Sequence, residues 1–227
     1  MKRIELAVTA AVFLLFSAIT SSATITLDFS SSPGATLAFG GMSLGAGNFG
    51  FTASSTPPAQ FHIVSSSSDG SAEVGDTGYI TPTFTIGTIT GSGSQTAPVT
   101  GTGTLTINDG TPNLFTATIS WFIIQSQSTQ VKLNPGLAVN LSNIQYSGSQ
   151  PDLRSLATIG TATDYLTATF VPAVNLSTLD GGATYSTTSW SGTITAVPEQ
   201  STSLAAAFLG LLLASSAIWN FRKNQLA

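Results

Sequence analysis

The chain contains no cysteine and only one histidine among its 227 residues. No disulfide framework, thiolate metal site or cysteine nucleophile can form. Acid–base chemistry on imidazole would rest on His62 alone. Charge is scarce as well. Six basic and ten acidic residues make up 7% of the chain, against about 25% in ordinary globular proteins. The net charge of −4 and the lack of any basic run leave no electrostatic footprint for nucleic acid. Sustained helical periodicity is also missing, apart from a short turn near residues 152–156.

What is present divides into three parts. The mean hydropathy of +0.32 is high for so polar-looking a chain, and much of the apolar character sits at the two ends. Between them, residues 24–196 hold 31 Thr and 24 Ser, so 55 of 173 residues carry an aliphatic hydroxyl. The charges of this middle part are Lys132 and Arg154 against eight acidic residues, a net of −6.

The N-terminal end opens with Lys2 and Arg3. An apolar run follows from Leu6 to Ile19, and then Ser21-Ser22-Ala23 places small residues at the −3 and −1 positions of a cleavage site. These are the three parts of a secretory signal peptide, spanning residues 1–23 with cleavage after Ala23. About 14 apolar residues are too few for the roughly 20 that cross a bilayer.

The C-terminal end carries a second apolar run, Leu204 to Phe221, with no charge in it. Its length suits a transmembrane helix. Arg222 and Lys223 follow at once and keep the last residues on the cytoplasmic side. Trp219 and Phe221 fall where an interfacial aromatic belt sits. Just before the run stands Val197-Pro198-Glu199-Gln200. The order of a Pro-Glu element, one apolar helix and a basic end, in a chain that opens with a signal peptide, resembles the PEP-CTERM sorting signal. The resemblance covers residues 197–227. The family usually has Pro where Gln200 stands, and often three or more Arg at the end. It implies a protein of Gram-negative bacteria exported as a substrate of exosortase, a membrane enzyme encoded with exopolysaccharide genes. Exosortase would recognise Val197, Pro198 and Glu199, process the chain near there, and pass the body to the cell surface or extracellular matrix.

The middle part, 24–196, alternates apolar and hydroxyl residues at the period of a β-strand. Ile80, Pro82, Phe84 and Ile86 alternate with Thr81, Thr83 and Thr85. Val99, Gly101, Gly103, Leu105 and Ile107 alternate with four threonines, and Leu166, Ala168 and Phe170 with two. The more apolar stretch 114–124 predicts a central strand covered on both faces. Asn108-Asp109-Gly110, Asn134-Pro135-Gly136 and Asp180-Gly181-Gly182 supply turn chemistry between runs. Residues 34–50 are Gly-rich and predict irregular structure, and residues 65–78 a polar loop. Eight to eleven short strands at this spacing predict one all-β domain, an antiparallel β-sandwich or jelly roll, flanked by the signal helix and the transmembrane helix. No fixed-period repeat is present.

The search for chemistry in this domain yields little. His62 sits in a strand-like run with no Gly-x-Ser-x-Gly elbow anywhere in the chain. Asp69, Glu73 and Asp76 form the one local carboxylate cluster and are the weak candidates for a metal, calcium by ligand chemistry. Their spacing does not match the helix–loop–helix calcium pattern, and a solvated acidic loop explains them as well. Asp28 and Asp164 are carboxylates with no partner visible in the sequence; a glycosidase pair would need two of them facing each other. Trp121 and Trp190, with Tyr79, Tyr146, Tyr165 and Tyr185, would stack on sugar rings if exposed on one face; Trp121, with Ile119, Phe122 and Ile123 around it, reads as core, whereas Trp190 between two serines suits either the core or a sugar platform. Asn140-Leu141-Ser142 and Asn175-Leu176-Ser177 match the N-glycosylation pattern, by chance in a bacterial setting.

The expectation is therefore a non-enzymatic, membrane-anchored protein of the cell surface or matrix. Exosortase, the membrane and extracellular polysaccharide are its partners, and it has no cofactor. The alternative is a carbohydrate-binding β-sandwich that uses a calcium ion.

Overall fold

The computed structural model describes residues 24–43, 46–53, 59–67, 72–81, 83–126, 132–133, 138–170, 175–179, 185–186 and 189–196. The two terminal segments lie outside them. So do the expected signal helix, Ala23, Val197, Pro198, Glu199, the transmembrane segment 204–221, Arg222 and Lys223. Among the described residues no helix is long and apolar enough to cross a membrane.

Among the described residues the hydroxyl–apolar alternation produces fifteen strands. In chain order they are β1 (Ile25–Ser31), β2 (Leu37–Ser43), β3 (Ala46–Phe51), β4 (Phe61–Ser66), β5 (Thr77–Thr81), β6 (Phe84–Ile86), β7 (Gln95–Thr100) and β8 (Thr102–Asn108). They continue with β9 (Leu114–Ser120), β10 (Ile123–Ser126), β11 (Lys132–Leu133), β12 (Ala138–Gln145), β13 (Ala162–Thr169), β14 (Tyr185–Ser186) and β15 (Ser189–Ala196). Among the described residues two helices interrupt the series, α1 (Pro151–Ile159) and the single turn α2 (Leu176–Leu179).

Every strand pairing is antiparallel, as the alternation implies. The closure differs from two stacked sheets. Following the pairings, β1, β4, β5, β8, β9, β12, β13 and β15 return to β1 and make a closed eight-stranded barrel. The remaining strands, in the order β11-β10-β7-β6-β3-β2-β14, form a half-barrel that joins at β13. Strand β13 pairs with β12 over Ala162–Tyr165 and with β11 at Ala168 and Thr169. An eight-stranded closure has an interior that side chains just fill, and it leaves no edge in the ring.

Period 2 then sorts the side chains. Leu27, Phe29, Phe61, Ile63, Ile80, Leu105, Ile107, Phe115, Ile119, Leu141, Leu166 and Ile194 are buried inside, while most of the intervening threonines and serines are partly or fully exposed, Thr106 being covered. This polarity is the inverse of a membrane-spanning barrel, whose outer band is apolar. Aromatic rings fill the junction between barrel and half-barrel. Phe49 lies 4.8 Å from Trp121, Phe51 4.8 Å from Trp190, and Phe29 4.9 Å from Phe61.

Three expectations are corrected. Residues 114–124 are not one strand covered on both faces: β9 ends at Ser120, its Thr116 and Thr118 face out, and Leu114, Phe122 and Ile123 are exposed. The chain leaves the barrel at Trp121-Phe122 and enters the half-barrel as β10. The alternation from Val99 to Ile107 likewise spans two strands. Gly101, with φ of 111°, turns the chain from β7 in the half-barrel to β8 in the barrel, a conformation that glycine adopts freely. Finally, the Gly-rich stretch 34–50 is ordered as β2 and β3. Gly40 faces Asn48 across this pair, and a Cβ at position 40 would collide with the Asn48 side chain.

Candidate functional site

The structure brings Glu73 and Asp76 together with α1, and Asp69 lies outside the described residues. Helix α1 starts at Pro151 and its N-cap residue Gln150 makes no side-chain cap. The exposed N–H groups of a helix start need acceptors. Glu73 provides one from the turn after β4: it is fully buried, its Oε1 accepts from the Asp152 N–H at 2.9 Å, and its Oε2 accepts from the Ser66 hydroxyl at 3.0 Å. Asp152 Oδ2 in turn accepts from Ser66 at 2.6 Å and Ser67 at 3.1 Å. Negative charge at this end also suits the helix dipole.

Asp76 faces Gln150, whose Nε2 donates to Oδ1 at 3.3 Å, and its Oδ2 is buried with no partner. Burial pushes the Asp76 carboxyl up to about 6; Gln150 opposes the shift, and the nearby Asp109 and Glu73 charges add to it. Asp109 behaves differently. Burial would raise it, but donors from Thr111 and Tyr146 outweigh this and hold it below the ordinary value. Tyr146 donates to Asp109 at 2.6 Å, and burial together with that carboxylate pushes the phenol up to about 12. Glu73 and Asp76 thus point to different partners. Among the described residues no three acidic or imidazole groups converge to hold a metal ion.

The other feature is the outer wall of β4, β1, β15 and β13. Register places its side chains in transverse rows. One row is Ser65, Asp28, Thr193 and Tyr165. A second is His62, Ser30, Ser191 and Thr167, and a third includes Thr26, Thr195 and Thr163. Asp28 is the hub of the first row, accepting from Thr193 at 2.6 Å and from Ser65 at 2.5 Å. Tyr165 is 45% exposed. A wall of this kind offers many donors and acceptors around one flat apolar ring. The Ser65 hydroxyl donates to Asp28 and not to His62.

The remaining candidates are dispersed. Asp28 faces outward and Asp164 inward, so these two carboxylates cannot face each other across a bond. Trp121 and Trp190 are both buried, at 2% and 1% exposure, which removes them as a sugar platform. Trp121 donates its indole N–H to the Ile123 carbonyl at 2.7 Å. Sequence reasoning singled out neither the Asp28–Tyr165 row nor the capping role of Glu73. Both depend on pairings between strands far apart in the chain. The one sequence signal was Tyr165 itself, one of the aromatics that would stack on a sugar if exposed.

No family model, no curated protein and no solved structure matches this chain.

Proposed function

We propose that this is an exported, membrane-anchored protein of the cell surface or extracellular matrix, sorted by an exosortase-type system and without enzymatic activity. The observation that carries the proposal is the order of its terminal signals: residues 1–23 as signal peptide, Val197-Pro198-Glu199 as recognition element, 204–221 as membrane helix, and Arg222-Lys223 as stop. The fold supports it in one respect. The first and last strands of the barrel pair with each other, Ile25 opposite Ala196. Cleavage after Ala23 and near Pro198 would therefore leave every described strand in place. The hydroxyl-rich exterior, held without disulfides, suits a displayed scaffold. Fractionation of cells with and without exosortase tests the proposal. The trimmed chain is expected outside the inner membrane only when the enzyme is present. A chain found only in the cytoplasm with residues 1–23 intact contradicts it.

A second reading, carbohydrate binding, draws on the Asp28–Tyr165 row. A pyranose ring stacking on Tyr165 would bring its hydroxyls to Thr193, Thr163, Thr167 and the oriented Asp28 carboxylate, and an aromatic face beside polar anchors suits a sugar. Retention of the protein on the host's extracted polysaccharide, compared with Tyr165→Ala, tests this reading. Equal retention of the two proteins contradicts it.

A further inference from the structure

The inner wall of the barrel carries an ionisable side chain that no other group accommodates. Asp164 lies on β13 opposite Val139 of β12 and Ile194 of β15. It is 0% exposed, and neither carboxyl oxygen has a hydrogen-bond partner. Its inward aim follows from the strand period, since Asp164, Leu166 and Ala168 are buried while Tyr165 faces out. Gly192, in the next row of β15, makes the space. A Cβ there would stand 2.8 Å from Asp164 Oδ1 and would also collide with the Phe29 ring.

The surrounding elements supply no counter-charge. Strands β12 and β15 carry no titratable side chain at all. On β1, Asp28 faces out and is bonded to Thr193 and Ser65. On β13 itself Tyr165 faces out. Strand β11 reaches β13 only further along, where Lys132 stands opposite Thr169. On α1, which packs on β1 and β12, Asp152 is bonded to Ser66 and Ser67, and Arg154 is exposed. Glu73, beside α1, is bonded to Ser66 and to the Asp152 N–H. Burial alone sets the protonation of Asp164 and pushes its carboxyl up to about 7.

An ionised carboxylate without donors is not tolerated in a dry interior. To reach water it must open a seam in the wall. The seam towards β15 is seven residue pairs long, whereas the seam towards β12 has four pairs and ends where β13 changes partner to β11. We propose that a proton on Asp164 is a structural component of the barrel, and that its loss loosens the β12–β13 seam at the branch point. The barrel then tightens in mildly acidic surroundings and loosens in mildly alkaline ones.

Denaturant unfolding of the purified full-length chain from pH 5 to pH 8 tests this, with amide hydrogen exchange, corrected for intrinsic rates, at Val139 and Leu141. The unfolding equilibrium constant is expected to rise by up to tenfold per pH unit towards pH 7 and then level off. Exchange in β12 is expected to quicken over the same range. Asp164→Asn should flatten both responses, and Asp164→Val should do so where the amide variant does not fold. Asp76→Asn controls for the other raised carboxyl. A pH response kept in both Asp164 variants but lost in Asp76→Asn, or a wild-type chain whose stability does not change with pH, overturns the proposal.

Discussion

Glu73 and Asp164 are equally hidden from water, both 0% exposed, yet the regions around them are opposites. At the start of α1, Glu73 meets a hydroxyl and a helix N–H that need an acceptor. Inside the barrel, Asp164 meets Phe29, Val139, Ile194 and the gap over Gly192. The comparison shows that burial does not by itself decide what a carboxyl group contributes. Donors do. The first group ties three chain segments together, while the second carries a proton that burial holds up to about 7.

The largest effect should come from removing the satisfied acid. Glu73→Ala leaves the buried Asp152 N–H short of an acceptor and empties the space of the carboxylate, and a cost of about 3 kcal/mol is expected. Denaturant unfolding measures it, and a loss below half that value would mean that water replaces the carboxylate. The opposite sign is expected at the other site. Asp164→Val restores an apolar wall and should raise stability by about 2 kcal/mol at pH 8. A destabilised valine variant at that pH would break the comparison.

The pH response should separate the two sites next. Asp164 has a folded value raised above the ordinary one, so its stabilisation is complete in acid and declines as pH rises from about 4 through about 7. A single group contributes at most about 1.4 kcal/mol per pH unit. Asp76, raised to about 6, acts in the same direction. Asp109 has the reverse sign, its stabilisation being lost as pH falls through its lowered value. Asp164→Asn should therefore reduce the slope of the stability curve between about pH 4 and about pH 7. The smallest effect belongs to the outer wall. Tyr165→Ala should alter stability by no more than about 0.5 kcal/mol, and any loss of polysaccharide retention would then report binding rather than folding.

Much of the fold was legible in the alternation. Residues 80–81, 84–86, 102–107 and 166–169 are strands, with Ile80, Phe84, Ile86, Leu105, Ile107, Leu166 and Ala168 buried as expected, Gly110 has the positive φ that Asn108-Asp109-Gly110 promises, and the short turn near 152–156 is α1. The closure was not legible. Each crossing between barrel and half-barrel keeps the same face inward, so the apolar phase runs on through Gly101 and from Ile80 to Phe84 without a break. Which strands pair is a non-local matter: β1 with β15, and Glu73 with a helix start almost eighty residues later. For that reason the acidic cluster looked like a solvated loop or an ion site, and Tyr165 was visible only as one aromatic among several, without Asp28 and Thr193 beside it. Trp190, flanked by serines, looked ambiguous because the sequence does not show the Phe29, Phe51 and Phe61 rings that enclose it.

The central claim concerns the two ends of the chain, and intact-mass measurement of the protein recovered from the cell surface tests it most directly. The account predicts a mass that begins at Thr24 and ends near Pro198 in cells that contain exosortase, and a chain retaining residues 204–227 in cells that lack it. A surface protein of the same mass in both, or one still carrying residues 1–23, would contradict it.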